Sequence, residues 1–185
     1  MVNIAVVVGS TRPGRRSRQV AEWVLSRATS RGGADFEMLD LADYELPLLD
    51  EPMPPSMGNY KHEHTKVWAR TISRFDGFIF VTAEYNHSIP GVLKNSLDFL
   101  YAEWNNKAAG FVSYGSAGGV RAVENLRLIA GELQMADVRA QVALPFATDF
   151  ENFATFTPSE SAEEALEPLL EQLISWSTAL KTIRT

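Results

Sequence analysis

The chain has 185 residues, no cysteine and a net charge of −6. Disulfide scaffolds, cysteine-based zinc or iron–sulfur sites and thiol nucleophiles are therefore excluded, and the acidic balance argues against a general nucleic-acid binder. At ~150 residues per domain, one domain spanning residues 1–185 is expected, with no membrane span, no signal peptide and a cytoplasmic location.

The charge is unevenly placed. Residues 1–32 hold six arginines and one acid, Glu22, which leaves −11 for the rest of the chain. Arg12, Arg15, Arg16 and Arg18 fall within seven residues. A basic knot in an acidic protein points to a local anion site rather than a broad field. The plainer alternative is a solvated loop followed by an ordinary helix face.

The elements follow in order along the chain. Ile4–Val8 is a β-branched run closed by Gly9 and reads as a strand buried on both faces. Val20, Ala21, Val24, Leu25 and Ala28 keep helical spacing over 17–30, and Gly32-Gly33 ends it. Phe36–Leu41 is a second strand. Four of nine prolines fall within 42–58, so a long loop is expected there. Residues 60–75 are helical through Val67, Trp68, Ile72 and Phe75. Phe78–Val81 is the third strand, and Pro90-Gly91 opens a helix running to Tyr101. Ala108–Ser113, a glycine-rich turn at 115–119, a helix at 120–134 and the strand Val138–Leu144 complete the pattern. After a further loop, residues 160–181 form the last helix.

Strict β-α alternation with buried strands predicts an α/β fold whose parallel sheet carries helices on both faces. Five strands suit an open sheet, and such sheets bind ligands at the carboxyl ends of their strands. Those ends are Gly9–Ser17, Thr82–His87 and Ser113–Gly119.

The first loop reads Gly-Ser-Thr-Arg-Pro-Gly-Arg-Arg-Ser. It joins a strand to a helix N-terminus, where free amides and the helix dipole favour an anion. Ser10, Thr11 and Ser17 supply hydroxyls, Ser17 as a potential cap, and Arg12, Arg15 and Arg16 supply charged forks. The spacing Gly9-x-x-x-x-Gly14 imitates a P-loop, but Arg15 replaces the lysine and Arg16 the magnesium-binding hydroxyl. An NTPase is disfavoured on that ground. A phosphate monoester is the natural occupant, with a capped helix and exposed arginines as the alternative.

The second loop contains Glu84-Tyr85-Asn86, then Pro90-Gly91-x-Leu93-Lys94-Asn95-x-x-Asp98. With Gly9-Ser10-Thr11-Arg12, Ser17 and the third loop Tyr114-Gly115-Ser116-Ala117-Gly118-Gly119, the chain resembles the NADPH-dependent FMN reductase family. The likeness runs from residue 3 to about 145. One departure is Ala83, where the family usually has proline. The resemblance implies a flavodoxin-like sheet of order 2-1-3-4-5, bound FMN, and NADPH or NADH as hydride donor. It places the FMN phosphate on Ser10, Arg12 and Ser17. Arg15 and Arg16 match no fixed position of the family and are candidates to reach either FMN or the NADPH phosphates. It places the flavin ring against Glu84, Tyr85 and Asn86, and the pyrimidine edge against Tyr114, Gly115 and Gly118. Electrons would pass to a flavin, quinone or similar small-molecule acceptor, and a homodimer or homotetramer is expected. The cofactor carries that chemistry, so no general acid, base or nucleophile is named. A flavodoxin-type electron carrier and a flavin-free binding module on the same sheet remain alternatives.

Other residues are read more plainly. Lys94 and Asp98 stand i, i+4 and should pair, so fold and subunit-contact roles are expected for Lys94, Asn95 and Asp98. His62 and His64, two apart on a helix, should point to different faces. His87 lies beside the ring loop. Phe146, Phe150, Phe153 and Phe156 read as a packed loop, a lid or a subunit contact, and Trp104 raises the same question.

Overall fold

A computed structural model of the protein describes residues 1–184. Strands β1 (Asn3–Val8), β2 (Asp35–Asp40), β3 (Gly77–Ala83), β4 (Ala108–Gly115) and β5 (Ala136–Pro145) form one parallel sheet in the order β2-β1-β3-β4-β5. The expected flavodoxin-like order is thus the observed one. β3 and β4 are buried at every position, and their unbroken apolar runs have helices on both sides to cover them.

Helices α1 (Ser17–Arg31) and the long C-terminal helix, Glu160–Lys181, cover one face. Val20, Val24, Leu166, Leu169 and Leu173 pack there against Ile4, Val6 and Val112. Helices α2 (Glu63–Ser73), α3 (Gly91–Asp98) and α4 (Val120–Glu132) cover the other. Trp68, Ile72, Leu93, Leu97, Val123 and Leu126 meet Phe78, Phe80 and Phe111 on that side. The apolar stripes read from helical spacing mostly face this sheet, but Val67 of α2 is 41% exposed and belongs to the solvent side.

Several local readings need correction. α3 stops at Asp98 instead of continuing to Tyr101. Leu100 and Trp104 remain buried in the turn that follows, and the Trp104 indole donates to the Leu97 carbonyl at 3.2 Å. Trp104 is therefore core, not a candidate contact surface. α2 begins at Glu63, and His62 precedes it in extended backbone. Helical spacing does not apply across that boundary. The two imidazoles stack 5.2 Å apart, with Asp50 3.0 Å from His64 and 3.9 Å from His62.

The loop after β5 also has structure of its own. It contains a short helical turn α5 (Phe146–Asp149) and a hairpin of β6 (Phe150–Glu151) with β7 (Thr155–Phe156), which leads into α6 (Glu160–Lys181). Asp149 is buried and accepts the Ser159 amide at 2.9 Å, which fixes the entry to α6. The proline-rich loop is stitched to α3 by Asn95, which accepts from the Leu49 amide at 2.9 Å and donates to the Pro47 carbonyl at 2.7 Å. Lys94 and Asp98 pair at 2.6 Å, as their spacing predicts.

β5 is irregular where it meets β4. Ala109 faces Asp137 and Phe111 faces Gln141, so Gly110 alone stands opposite three residues. The displaced backbone finds side-chain partners. Arg127 of α4 donates to the carbonyls of Val138 at 2.9 Å and Arg139 at 3.4 Å, and Gln172 of α6 accepts the Ala140 amide at 3.0 Å.

Candidate functional site

The sheet's order reverses between β1, which continues to β2, and β3. At that switch point the chain ends of β1, β3 and β4 open onto a cavity of about 470 Å³, within the ~300–1,000 Å³ usual for small-molecule sites. The first loop contributes residues 12–16, the second Ala83, Glu84 and Tyr85, and the third Tyr114 and Gly115. Phe146 and Phe153 close the remaining side.

Gly9 brings β1 and β3 together at the base. Its amide donates to the Val81 carbonyl at 2.9 Å, and a Cβ at this position would lie 2.7 Å from that oxygen. Only glycine permits the approach. Ser10, buried directly after it, has its hydroxyl 3.0 Å from the Tyr85 hydroxyl. Ser17 is also buried, but it does not cap α1. It is the first helical residue, and its hydroxyl faces the Ser10 carbonyl at 3.5 Å. Arg16 stands at the cap position without a side-chain cap, and the first turn holds no acid. No side chain caps the leading amides of α1, a feature of helix N-termini that receive anions.

The arginines divide their work. Arg15 lies 2.5 Å from Asp40, which also receives Arg18 at 3.1 Å and the Ala42 amide at 3.0 Å. Its charge is thus neutralised within the protein although it lines the cavity. Arg16 donates to the Gly14 carbonyl at 2.9 Å and the Phe153 carbonyl at 3.3 Å. Arg12 is exposed and makes no ion pair among the described residues.

The second loop turns tightly. Tyr85 and Ser88 exchange backbone hydrogen bonds of 2.9 and 3.2 Å across Asn86 and His87, which have φ of 49° and 72°. Positive φ at both central residues is the signature of a type I′ turn, for which asparagine is well suited. Both side chains are exposed, and neither lines the cavity. Tyr85 does. Glu84 also lines the cavity. Its carboxylate turns to α4, accepting the amides of Arg121 at 3.1 Å and Ala122 at 3.4 Å and pairing with the Arg121 guanidinium. Burial opposes its ionisation, but these donors outweigh burial and hold Glu84 below the usual carboxylate range. The Glu84 amide donates to the Tyr114 carbonyl at 3.1 Å, which joins the second loop to the third.

In the third loop Gly118 and Gly119 both have positive φ. A Cβ on Gly119 would sit 2.8 Å from Ser113 Cβ and 2.9 Å from the Tyr114 amide. A Cβ on Gly118 would press Ala143 at 3.0 Å, so packing on β5 requires this glycine, and it does not line the cavity. Gly115 does. Tyr114 is buried, and its hydroxyl has no hydrogen-bond partner among the described residues. Burial, working against the neighbouring Ser17 hydroxyl and amide, pushes that hydroxyl's pKa up to about 12, so it is neutral at physiological pH.

Of the residues expected from the sequence, Arg12, Arg15, Glu84, Tyr85, Tyr114 and Gly115 surround one cavity, with Ser10 and Ser17 behind them. Asn86 and Gly118 stand outside it. Phe146 and Phe153 were legible only as part of an aromatic cluster read as a packed loop, a lid or a subunit contact, and Pro13 carried no signal. The arrangement meets the needs of an FMN-sized ligand in three ways. Among the described residues, the helix N-terminus has no side-chain cap, the Arg12 guanidinium makes no ion pair, and the buried Tyr114 hydroxyl has no partner. Aromatic side chains lie on the same cavity.

A profile of the NADPH-dependent FMN reductase family matches residues 2–149. An NAD(P)H-dependent FMN reductase of Schizosaccharomyces pombe is 42% identical over 148 residues, covering 79% of this chain and 74% of that protein. A quinone reductase of Pseudomonas putida is 34% identical, covering 68% of this chain and 67% of that protein. Among solved structures, the flavoenzyme NAD(P)H:(acceptor) oxidoreductase FerB from Paracoccus denitrificans superposes with a TM-score of 0.74. It covers 97% of this chain and 98% of its own at 20% identity, a likeness of fold. The chain belongs to the NADPH-dependent FMN reductase family and is an oxidoreductase that uses FMN and NAD(P)H.

Proposed function

We propose that the whole chain acts as one FMN-binding domain whose cavity at the β1/β3 switch point holds the cofactor. Bound FMN would supply the redox chemistry, a two-electron exchange between NAD(P)H and a second substrate. The protein's own residues hold and orient. Arg12 and the leading amides of α1 bind the phosphate, with Ser10 and Ser17 lining the loop behind it. Arg15 shapes that loop through Asp40. Tyr85 and Tyr114 border the ring. Glu84, locked to α4, presents its backbone rather than its carboxylate. Gly115 lets backbone come close to the ring edge.

The carrying observation is the unspent anion-binding capacity of the first loop on the same cavity as Tyr85 and Tyr114. The quinone reductase relative supports a quinone or similar small molecule as acceptor. No helix among the described residues is long and apolar enough to cross a membrane. Action in the cytoplasm and assembly as a homodimer or homotetramer belong to the same proposal. The exposed Leu48, Met53 and Met57 on the proline-rich loop are suitable contact residues for assembly.

The test is spectroscopic. The purified protein should carry or take up FMN, and anaerobic NADPH should bleach the flavin's visible band. Failure to take up FMN would remove the proposal. Light scattering at one chain's mass, 20.5 kDa, would refute the assembly.

A further inference from the structure

The family profile ends at residue 149, but the cavity wall continues past it. Phe153, at the tip of the β6–β7 hairpin, is 68% exposed and still lines the cavity. Its φ is 56°, a conformation unfavourable for a bulky side chain. The hairpin is nevertheless fastened at several points. Arg16 holds the Phe153 carbonyl, while Gln19 accepts the Phe156 amide at 2.9 Å and donates to the Ala154 carbonyl at 3.5 Å. Phe146 supports the ring edge-to-face with centroids 6.2 Å apart. An apolar ring is thus held in water beside Arg16, with Arg12 on the same cavity.

An aromatic face next to guanidinium groups suits a planar base that carries phosphate. Among the reactants of the reaction proposed above, the nicotinamide dinucleotide has that chemistry at its adenosine end. A neutral quinone would gain nothing from the cations. Resting on the reductase reading, we propose that Phe153 and Arg16 form the seat of the adenosine half of NAD(P)H. The base lies on the Phe153 ring, and the phosphate charge is directed to Arg16.

The experiment uses the FMN-loaded protein, mixed anaerobically with increasing NADPH in a stopped-flow instrument. Phe153→Ala should raise the Kd for NADPH about tenfold, as expected for losing a base-stacking ring. Phe153→Tyr should restore it to within about twofold. Calorimetry with ADP-ribose, which has no nicotinamide, should show the same loss in Phe153→Ala without any turnover. Arg16→Gln should weaken NADPH binding in a way that raised salt diminishes. An unchanged NADPH Kd in Phe153→Ala would overturn the proposal. So would a rise in the FMN Kd, which would make Phe153 a flavin contact, or a rise in the quinone KM alone, which would make it an acceptor contact. The reductase reading fails separately, if wild-type protein takes up no FMN or is not reduced by NADPH.

Discussion

The Ser10 and Tyr85 hydroxyls lie 3.0 Å apart and are the side-chain link between the first and second loops. Ser10 is 1% exposed, so the bond is shielded from water. Tyr85→Phe should lower stability by about 1 kcal/mol, the usual net value of such a bond. FMN affinity should fall several-fold as the two loops lose their register. Urea unfolding and FMN titration read the two effects.

Arg12 and Arg15 should behave differently despite their proximity. Arg12 makes no ion pair among the described residues, and Arg12→Ala should raise the FMN Kd by roughly 10- to 100-fold, the range for losing a charge-assisted hydrogen bond. Arg15→Ala instead leaves buried Asp40 with Arg18 and the Ala42 amide as partners. Its principal effect should be lower stability, with a smaller change in FMN affinity. Equal losses of FMN affinity would show that Arg15 leaves Asp40 to bind the ligand.

Glu84 predicts the form of acid sensitivity. Its folded-state pKa is depressed, so its contribution is complete above the unfolded value of about 4.5 and disappears as pH falls through the folded value. Glu84→Gln should be less stable than wild type at pH 7, and the gap should close in that acid range. Denaturant midpoints between pH 7 and pH 3 test this.

Lys107 predicts the alkaline side. It is buried, donates to the Ile72 carbonyl at 2.8 Å and lies 5.6 Å from the Phe78 ring. Burial, helped by nearby Arg184, pushes its pKa down to about 8. The charged form is therefore disfavoured in the folded state, and stability should rise between pH 8 and the unfolded value of about 10.4. Lys107→Met should lack this rise. Its loss leaves the Ile72 carbonyl with the Phe75 amide at 3.2 Å, so the variant should be at least as stable as wild type at pH 7.

Gly119→Ala should damage the third loop directly. The new Cβ would meet Ser113 and the Tyr114 backbone, and φ is 75°. A loss of at least about 2 kcal/mol is expected from strain and overpacking together. Tyr114 should shift with it, reducing FMN uptake. Gly91→Ala, where a Cβ meets nothing within 4 Å, is the matched control.

The sheet was readable because unbroken apolar runs such as Ile4–Val8 and Phe78–Val81 must be buried on both faces, and their alternation with helices restricts topology. The site was readable because ligand-binding loops occupy the carboxyl ends of those runs. Long-range polar pairing was not readable. Nothing local to Arg15 indicates Asp40, 25 residues away, and nothing near Glu84 indicates the amides of α4. The β6–β7 hairpin was equally hidden. Two-residue strands carry no alternation, and a phenylalanine at positive φ contradicts its own propensity. His62 was misread because a single extended residue before α2 breaks the helical phase.

The irregularity in β5 has a consequence for solubility. β5 is an outer strand of the sheet, the position from which ordered aggregates can grow. Its middle is pulled out of line opposite Gly110, with backbone groups there taken by Arg127 and Gln172. A strand from another molecule would find no straight ladder to extend. The same arginine that satisfies the bulge thus helps to keep crowded copies of the protein from templating one another.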